Sequence, residues 1–480
     1  MTPQLVIPYT SADWAAVVPT FTVGVAALVV LIADLALPRK LRRGAALALG
    51  IAGLAIAGVL ALGGWHHPIA AFGGGFVNGG FAIAFEEIVV VAAIFSLLMA
   101  WTLGRDDQAG GGVALVLWSA TGAMLMAGAG NLLTIFLGLE LLSLALYCLC
   151  GLGSRPGARE SALKYLILSS TATAIMLYGM ALLFGATGSV SLAAFAGPHA
   201  SQALFDVGCG MFLIGICFKL SLVPFHVWTP DVYEGAPLPV TAFMSVVTKA
   251  GTLAVLARFA YAALPAAGAE TLLFPVWIVA GISMIAGNVA ALAQSDIKRL
   301  LAYSGIAQVG YIVAAFAGTT AFGLRYAIFY LGAYTFMNLG AFAVVALLSR
   351  ERDEGSHLAS FAGLGYRQPI LAAAMTFFLL SLAGLPPTAG FTAKVLLLAS
   401  TVNAGYAWLA GLLILGTVIS AYAYFKIVRT MYARTTGAEI QRRYVPASLL
   451  PWITVAVCAA ATLVLGFYPV APSDVLPLVR

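Results

Sequence analysis

The chain has 480 residues, 62% of them hydrophobic and only 9% charged, with a formal net charge of +6. Soluble domains carry about 25% charged residues, so this composition excludes one and defines an integral membrane protein. The apolar runs are long enough to cross the hydrocarbon core as helices of about 20 residues, and they lack the short alternating segments of an outer-membrane barrel.

In chain order the sequence predicts fourteen spans, at 14–37, 43–63, 82–103, 112–129, 131–152, 160–185, 203–229, 238–262, 271–293, 297–318, 321–348, 370–402, 406–433 and 449–469. The opening MTPQLVIPYTSADW has no basic stretch ahead of its first apolar run, so that run is expected to remain as the first helix. Basic residues then sort by connection. Arg39, Lys40, Arg42, Arg43, Arg105, Arg155, Arg159, Lys298, Arg299, Arg350, Arg352, Arg367, Arg429, Arg434, Arg442 and Arg443 follow odd spans, and the other side keeps only Arg258, Arg325 and Arg480. By the positive-inside rule the odd-to-even connections are cytoplasmic and both termini lie outside. The positive charge therefore expresses topology and gives no argument for nucleic-acid binding.

The longest polar connection, Ser349 to about Tyr366, is too short to fold alone, so residues 1–480 form one transmembrane domain. Within it, 1–110 holds helices 1–3, 111–265 and 266–435 hold two five-helix units, and 436–480 holds the last helix. Cys148, Cys150, Cys209, Cys217 and Cys458 lie in apolar segments without a CxxC pair or a Cys/His cluster, which points to core packing rather than to a metal or disulfide.

Two spans are interrupted. The seventh reads CFKLSLVPFHVWTPDVYEGAP, with Pro224 and Pro230, and the twelfth reads FFLLSLAGLPPTAGFTAKVLLL, with Gly384, Pro386, Pro387 and Gly390. Proline removes a backbone donor and clashes with the preceding turn, and irregular backbone at depth is tolerated only against protein or a wet cavity. Interrupted helices five spans apart suggest repeated units, spans 4–8 and 9–13. An odd number of spans per unit inverts the second copy, and matching breaks mark a transport path.

Charges stand inside these spans. An ionised group near the bilayer centre costs from about 3 to more than 10 kcal/mol, so it normally faces a cavity or a partner. At about 1.5 Å per residue, Glu140 lies about 14 Å from the outer end of its span, Lys249 about 17 Å from the cytoplasmic end of its own, and Lys394 about 12 Å from an outer end. Lys164 is only about 6 Å in and can snorkel to water, as can Lys426 beside Arg429. A Glu140 partner among Lys164 and Lys219 forms a pair whose protonation another charge can switch. His226, beside Pro224, titrates near neutrality and is placed to relay between Lys219 and Lys249. Glu86 and Glu87 begin the third span and read as interfacial; Asp231 and Glu234 close the seventh, where they attract protons or cap backbone. Tyr303, Ser304 and Gln308 offer hydrogen bonds to internal water.

The stretches LGLELLSLALYCL with Glu140, ESALKYLILSS with Lys164, FKLSLVPFHVWTPDVYEGAPLPVTAFMSVVTKAG with Lys219, His226 and Lys249, SDIKRLLAYSGIAQVGY, and LSLAGLPPTAGFTAK with Lys394 carry a resemblance. From about span 4 to span 13 the chain resembles the antiporter-like membrane subunits of proton-pumping NADH:quinone oxidoreductase (respiratory complex I), most closely the subunit N branch. The resemblance implies an all-α fold of about fourteen helices, built from two inverted five-helix repeats with helices 7 and 12 broken. It implies Glu140 and Lys219 as a coupling pair, Lys164 as modulator of Lys219, His226 and Lys249 as central relay and Lys394 as the exit-side site. It also implies a bacterial plasma membrane with both termini periplasmic, and partners comprising subunit M, small membrane subunits and a peripheral redox arm. The subunit M branch has glutamate where Lys394 stands, and the subunit L branch adds a long lateral helix, so this chain fits neither as well.

The chain has no Gly-rich dinucleotide fingerprint and no cluster-ligating cysteines, so no cofactor or metal is expected in it. The resemblance then implies that FMN, iron–sulfur clusters, NADH and quinone belong to partner subunits, and that this chain is a translocating subunit of the enzyme without a redox site of its own. Two other readings share its features: a subunit of a multi-subunit Na+/H+ antiporter or membrane-bound hydrogenase, and a structural subunit whose polar residues serve assembly.

Overall fold

A computed structural model describes residues 10–100, 109–153, 156–264, 266–348, 356–434 and 449–470. Arg105, Arg155, Arg350, Arg352, Arg442, Arg443 and Arg480, on which part of the orientation argument rests, lie outside them. The fold is a helical bundle: α1 Ser11–Ala36, α2 Arg39–Leu62, α3 Gly80–Ala100, α4 Ala109–Gly128, α5 Leu132–Gly151, α6 Pro156–Thr187, α7 Gln202–Leu220, α8 Trp228–Gly235, α9 Leu238–Arg258, α10 Ala266–Leu292, α11 Ile297–Ala314, α12 Ala321–Leu348, α13 Leu364–Arg367, α14 Pro369–Ala383, α15 Ala389–Asn403, α16 Ala407–Tyr432 and α17 Leu449–Phe467. Among the described residues thirteen helices are long and apolar enough to cross a membrane, and α14 and α15 are shorter apolar helices. This is a multi-pass membrane protein.

Both sequence-predicted breaks are present. The seventh span ends at Leu220 and resumes as the short α8; the twelfth divides into α14 and α15. Helices α4–α9 and α10–α16 thus each hold four continuous spanning helices and one broken one, which stands fourth in its set. Local chemistry fixes the ends. Asn131 and Ser201 accept from the amides of Thr134 and Leu204, and Asp296 accepts from those of Lys298 and Arg299 at 2.8 and 3.1 Å, satisfying donors that a helix start leaves open.

One feature has no signal in the sequence: strands Ile69–Ala71 and Phe76–Asn78 (β1 and β2) form an antiparallel hairpin between α2 and α3, with Ala70 opposite Val77. Asp13 of α1 pins it, its Oδ1 accepting from Phe72 N–H at 2.6 Å.

Helix α9 is buried along its whole length, packed by α3, α4, α5, α7, α11 and α12. Close backbone approach makes such packing tight. A Cβ on Gly138 would stand 2.7 Å from Gly122 O, and one on Gly310 would stand 2.8 Å from Ala280 O, so α4 meets α5 and α10 meets α11 through small residues. The outward faces of α1, α2, α6, α16 and α17 stay apolar and exposed, as at Ile32, Val59, Ile167, Tyr422 and Val464. Faces of that kind suit lipid or neighbouring membrane subunits.

Candidate proton pathway

Helix α7 ends because Ser221 adopts a left-handed conformation, φ 63°. For a residue other than glycine this costs about 1–3 kcal/mol and persists only where neighbours hold it. Here Ser221 Oγ accepts from Thr229 Oγ1 at 2.7 Å and from Lys249 Nζ at 3.0 Å. The Lys249 ammonium therefore sits at the carboxyl end of the half-helix α7, where the helix dipole favours a cation. It also lies 5.5 Å from the ring centre of Trp228 and 5.8 Å from that of Tyr233.

Two residues before Ser221, Lys219 points into a cage of hydroxyls. Its Nζ donates to Ser143 Oγ at 2.7 Å, Tyr165 Oη at 3.1 Å and Ser169 Oγ at 3.3 Å. The Tyr165 ring stacks on Trp228, centroids 4.6 Å apart, and Trp228 Nε1 donates to Phe218 O at 3.0 Å. One aromatic pair thus braces both lysine sites.

The second break is built alike. Gly384 ends α14 at φ 86°, and a Cβ there would stand 2.8 Å from Lys394 Cδ, so the lysine stem needs that glycine. Lys394 Nζ caps α14 by donating to Leu382 O at 2.9 Å and Ala383 O at 3.1 Å, with the Tyr311 ring centre 5.1 Å away. Leu382 O also accepts from Gln308 Nε2 at 3.3 Å, and Gln308 Oε1 accepts from Tyr330 Oη. Between the breaks, Asn338 Nδ2 of α12 donates to Ser245 Oγ of α9 at 2.5 Å, one turn before Lys249. A row of buried polar groups thus runs from Lys219 through Ser221 and Lys249 toward Asn338, Gln308 and Lys394.

The other sequence-predicted residues stand beside this row. Glu140 is half-buried on α5, three residues before Ser143. Among the described residues no ion pair joins it to a lysine, although its charge reaches Lys219 through space. Lys164 does not meet Lys219; its Nζ pairs with Glu160 Oε1 at 2.7 Å and Asp231 Oδ2 at 3.1 Å. Arg299 closes this group, its Nη1 pairing with Asp231 Oδ1 at 2.6 Å and Glu234 Oε2 at 2.9 Å. Asp231 and Glu234 thus tie α8 to α6 and α11. Burial raises the Asp231 carboxyl, but the hydrogen bonds and charges of Arg299 and Lys164 outweigh it, and the net direction is downward.

His226 is half-buried and its Nδ1 has no partner among the described residues; the nearest ring partner is Tyr303, at 6.4 Å. Ser221, not His226, makes the direct contact with Lys249. Lys426 caps Leu292 O from an exposed position, as a snorkelling lysine does. Glu86 differs from its interfacial sequence reading, being buried at 1% exposure, and Arg258 at the end of α9 is buried as well, at 4%, its guanidinium donating to Ala127 O and to Val77 O of the hairpin. Cys148 also differs, being exposed, while the other four cysteines are buried. Among the described residues no group of three or more His, Cys, Asp or Glu is placed to hold a metal.

The hydroxyls around Lys219 escaped sequence reading, yet they carry a weak signal. Ser143 follows Glu140 by three residues, and Ser169 follows Tyr165 by four, spacings that share a helix face.

A family model described as NADH:quinone oxidoreductase/Mrp antiporter, TM matches residues 129–420, which include both breaks and Lys219, Lys249 and Lys394. NADH-quinone oxidoreductase subunit N 1 of Symbiobacterium thermophilum is 40% identical over 476 residues, 95% of this chain and 96% of the relative. Subunit N of Geobacillus kaustophilus is 40% identical over 488 residues, 97% of each chain. A chain of respiratory complex I from Thermus thermophilus, solved with bound aureothin, superposes with a TM-score of 0.81 at 33% identity, over 96% of this chain and 98% of that one. The chain belongs to this family of antiporter-like transmembrane subunits, and within it to the subunit N branch of NADH-quinone oxidoreductase. It is an antiporter-like membrane subunit of that complex.

Proposed function

We propose that this chain carries protons across the membrane along its row of buried polar groups, driven by NADH oxidation and quinone reduction in partner subunits. The reading rests on one observation above all. Lys219, Lys249 and Lys394 are nearly removed from solvent, and each is held by hydroxyl or carbonyl oxygens, with no carboxylate in contact among the described residues. Neutral partners of this kind allow a proton to leave without breaking an ion pair, whereas a structural cation would be locked to an acid.

The units 111–265 and 266–435 act as half-pathways, each with a lysine at its broken helix. Lys249 joins them, because α9 carries it to the centre of the bundle. Glu140, on the flank of α5, is the group through which a neighbouring subunit's charge reaches Lys219. Lys164 acts from the Asp231 cluster by fixing α8 below the first break, and His226 serves the wet side of that break. Lys394 hands protons to the exit side. FMN, iron–sulfur clusters, NADH and quinone belong to partner subunits, and the chain lies in a bacterial plasma membrane with both termini periplasmic.

Replacing Lys219 with alanine in the assembled complex tests the reading. Proton pumping should fall sharply while the subunit remains in place. Intact pumping in an assembled Lys219→Ala complex would leave only a structural role for the row.

A further inference from the structure

Outside the row, buried polar atoms converge where α1, β2, α3 and the end of α9 meet. Glu86 on α3, Thr20 on α1 and Asn78 at the end of β2 are 1%, 3% and 5% exposed. Glu86 Oε2, Thr20 Oγ1 and Asn78 Oδ1 have no hydrogen-bond partner among the described residues, and neither does Oε1 of the adjacent Glu87. They share one corner. Asn78 Nδ2 donates to Ala16 O, one turn before Thr20, at 2.9 Å, and Thr20 stands beside Glu86.

Arg258 closes the corner from α9. Its guanidinium donates to Ala127 O at 3.3 Å and Val77 O at 3.1 Å and lies 4.9 Å from the Phe81 ring centre. The described charged groups that act on Glu86 are Glu87 beside it and Arg258; Thr20 and Asn78 supply the neutral polar atoms. A buried polar atom left unpaired costs about 1–3 kcal/mol. Several in one place are normally satisfied by shared internal water, which needs two to four polar partners. The corner provides them.

We propose that Glu86, with Thr20, Asn78 and Arg258, forms a hydrated proton site at the outer end of the bundle, separate from the row between the broken helices. Glu86 begins about 9 Å inside α3, at the end that the positive-inside pattern turns outward. The carboxylic acid gives its proton to a bound water, leaving a carboxylate opposite Arg258, and the reverse transfer reloads it. No other oxidant, reductant or co-reactant is involved. Helix α9 carries both Lys249 and Arg258, nine residues apart, so the corner and the centre of the row share one rigid element. The site rests on proton carriage by this chain.

The test uses the whole complex in native-membrane vesicles, comparing wild type with Glu86→Gln, which keeps size, and Glu86→Asp, which keeps the acid. Infrared difference spectra taken through a pH titration should show a titrating protonated-carboxyl band that Glu86→Gln loses and Glu86→Asp retains with a shift. Protons pumped per NADH oxidised should fall in Glu86→Gln and recover in Glu86→Asp. Glu86→Gln spectra that match wild type, or unchanged pumping in that variant, would overturn the proposal. Failure of the pathway reading itself would show differently, as normal pumping in Lys219→Ala.

Discussion

Lys249→Met removes the ammonium at the centre of the bundle and keeps the volume of the side chain. The structural cost follows from the contacts. Ser221 Oγ loses the hydrogen bond from Lys249 at 3.0 Å but still accepts from Thr229 at 2.7 Å. A hydrogen bond to a charged group contributes about 1.5–3 kcal/mol, and removing a buried cation offsets much of that. The left-handed turn at Ser221 therefore survives, and the subunit should assemble. Function should not survive, because positioned proton donors and acceptors contribute about 10²-fold or more to the steps they serve. A fall in proton pumping of about tenfold or more is expected, measured by a pH-sensitive dye in sealed vesicles supplied with NADH and quinone. Lys249→Arg separates charge from proton exchange: it keeps the cation at the end of α7, yet a guanidinium with a pKa above about 12 hardly releases a proton, so it should fail as well. Turnover at the wild-type level in Lys249→Met would refute the reasoning and return Lys249 to packing.

At Glu140, on the flank of α5 one turn from Ser143, the Gln variant should lower pumping and coupled quinone reductase activity with assembly intact; near-normal pumping would remove Glu140 from the path. For Lys394, pumping should rank lysine, then glutamate, then arginine or alanine, since the site needs a group that exchanges its proton, and an arginine variant equal to wild type would show that fixed charge suffices. The Asp231 carboxylate is held below its ordinary range, so its contribution is present above the unfolded carboxylate pKa of about 4 and is lost as pH falls through the folded value. Because that side chain is 35% exposed, Asp231→Asn should destabilise the complex by no more than about 1 kcal/mol at neutral pH, read as a small drop in melting temperature that salt diminishes.

The sequence by itself determined the helical transmembrane class, the two interrupted spans and the lysines beside them. The reason is that apolar length, proline and in-span charge are local signals: a bilayer tolerates each only in a few ways, so each can be read along the chain. It also located Lys394 near the second break, because Gly384 and Pro387 stand within a few turns of it. Contacts between distant helices were not legible. That Lys219 is held by Ser143, Tyr165 and Ser169, that Ser221 rather than His226 meets Lys249, and that Lys164 turns to Asp231 depend on how α5, α6, α8 and α9 are rotated against one another. Glu86 illustrates the same limit. Its place early in α3 reads as interfacial, yet it is buried, with Thr20 of α1 and Arg258 at the end of α9 beside it, since burial is a property of what covers a helix end and not of the helix itself.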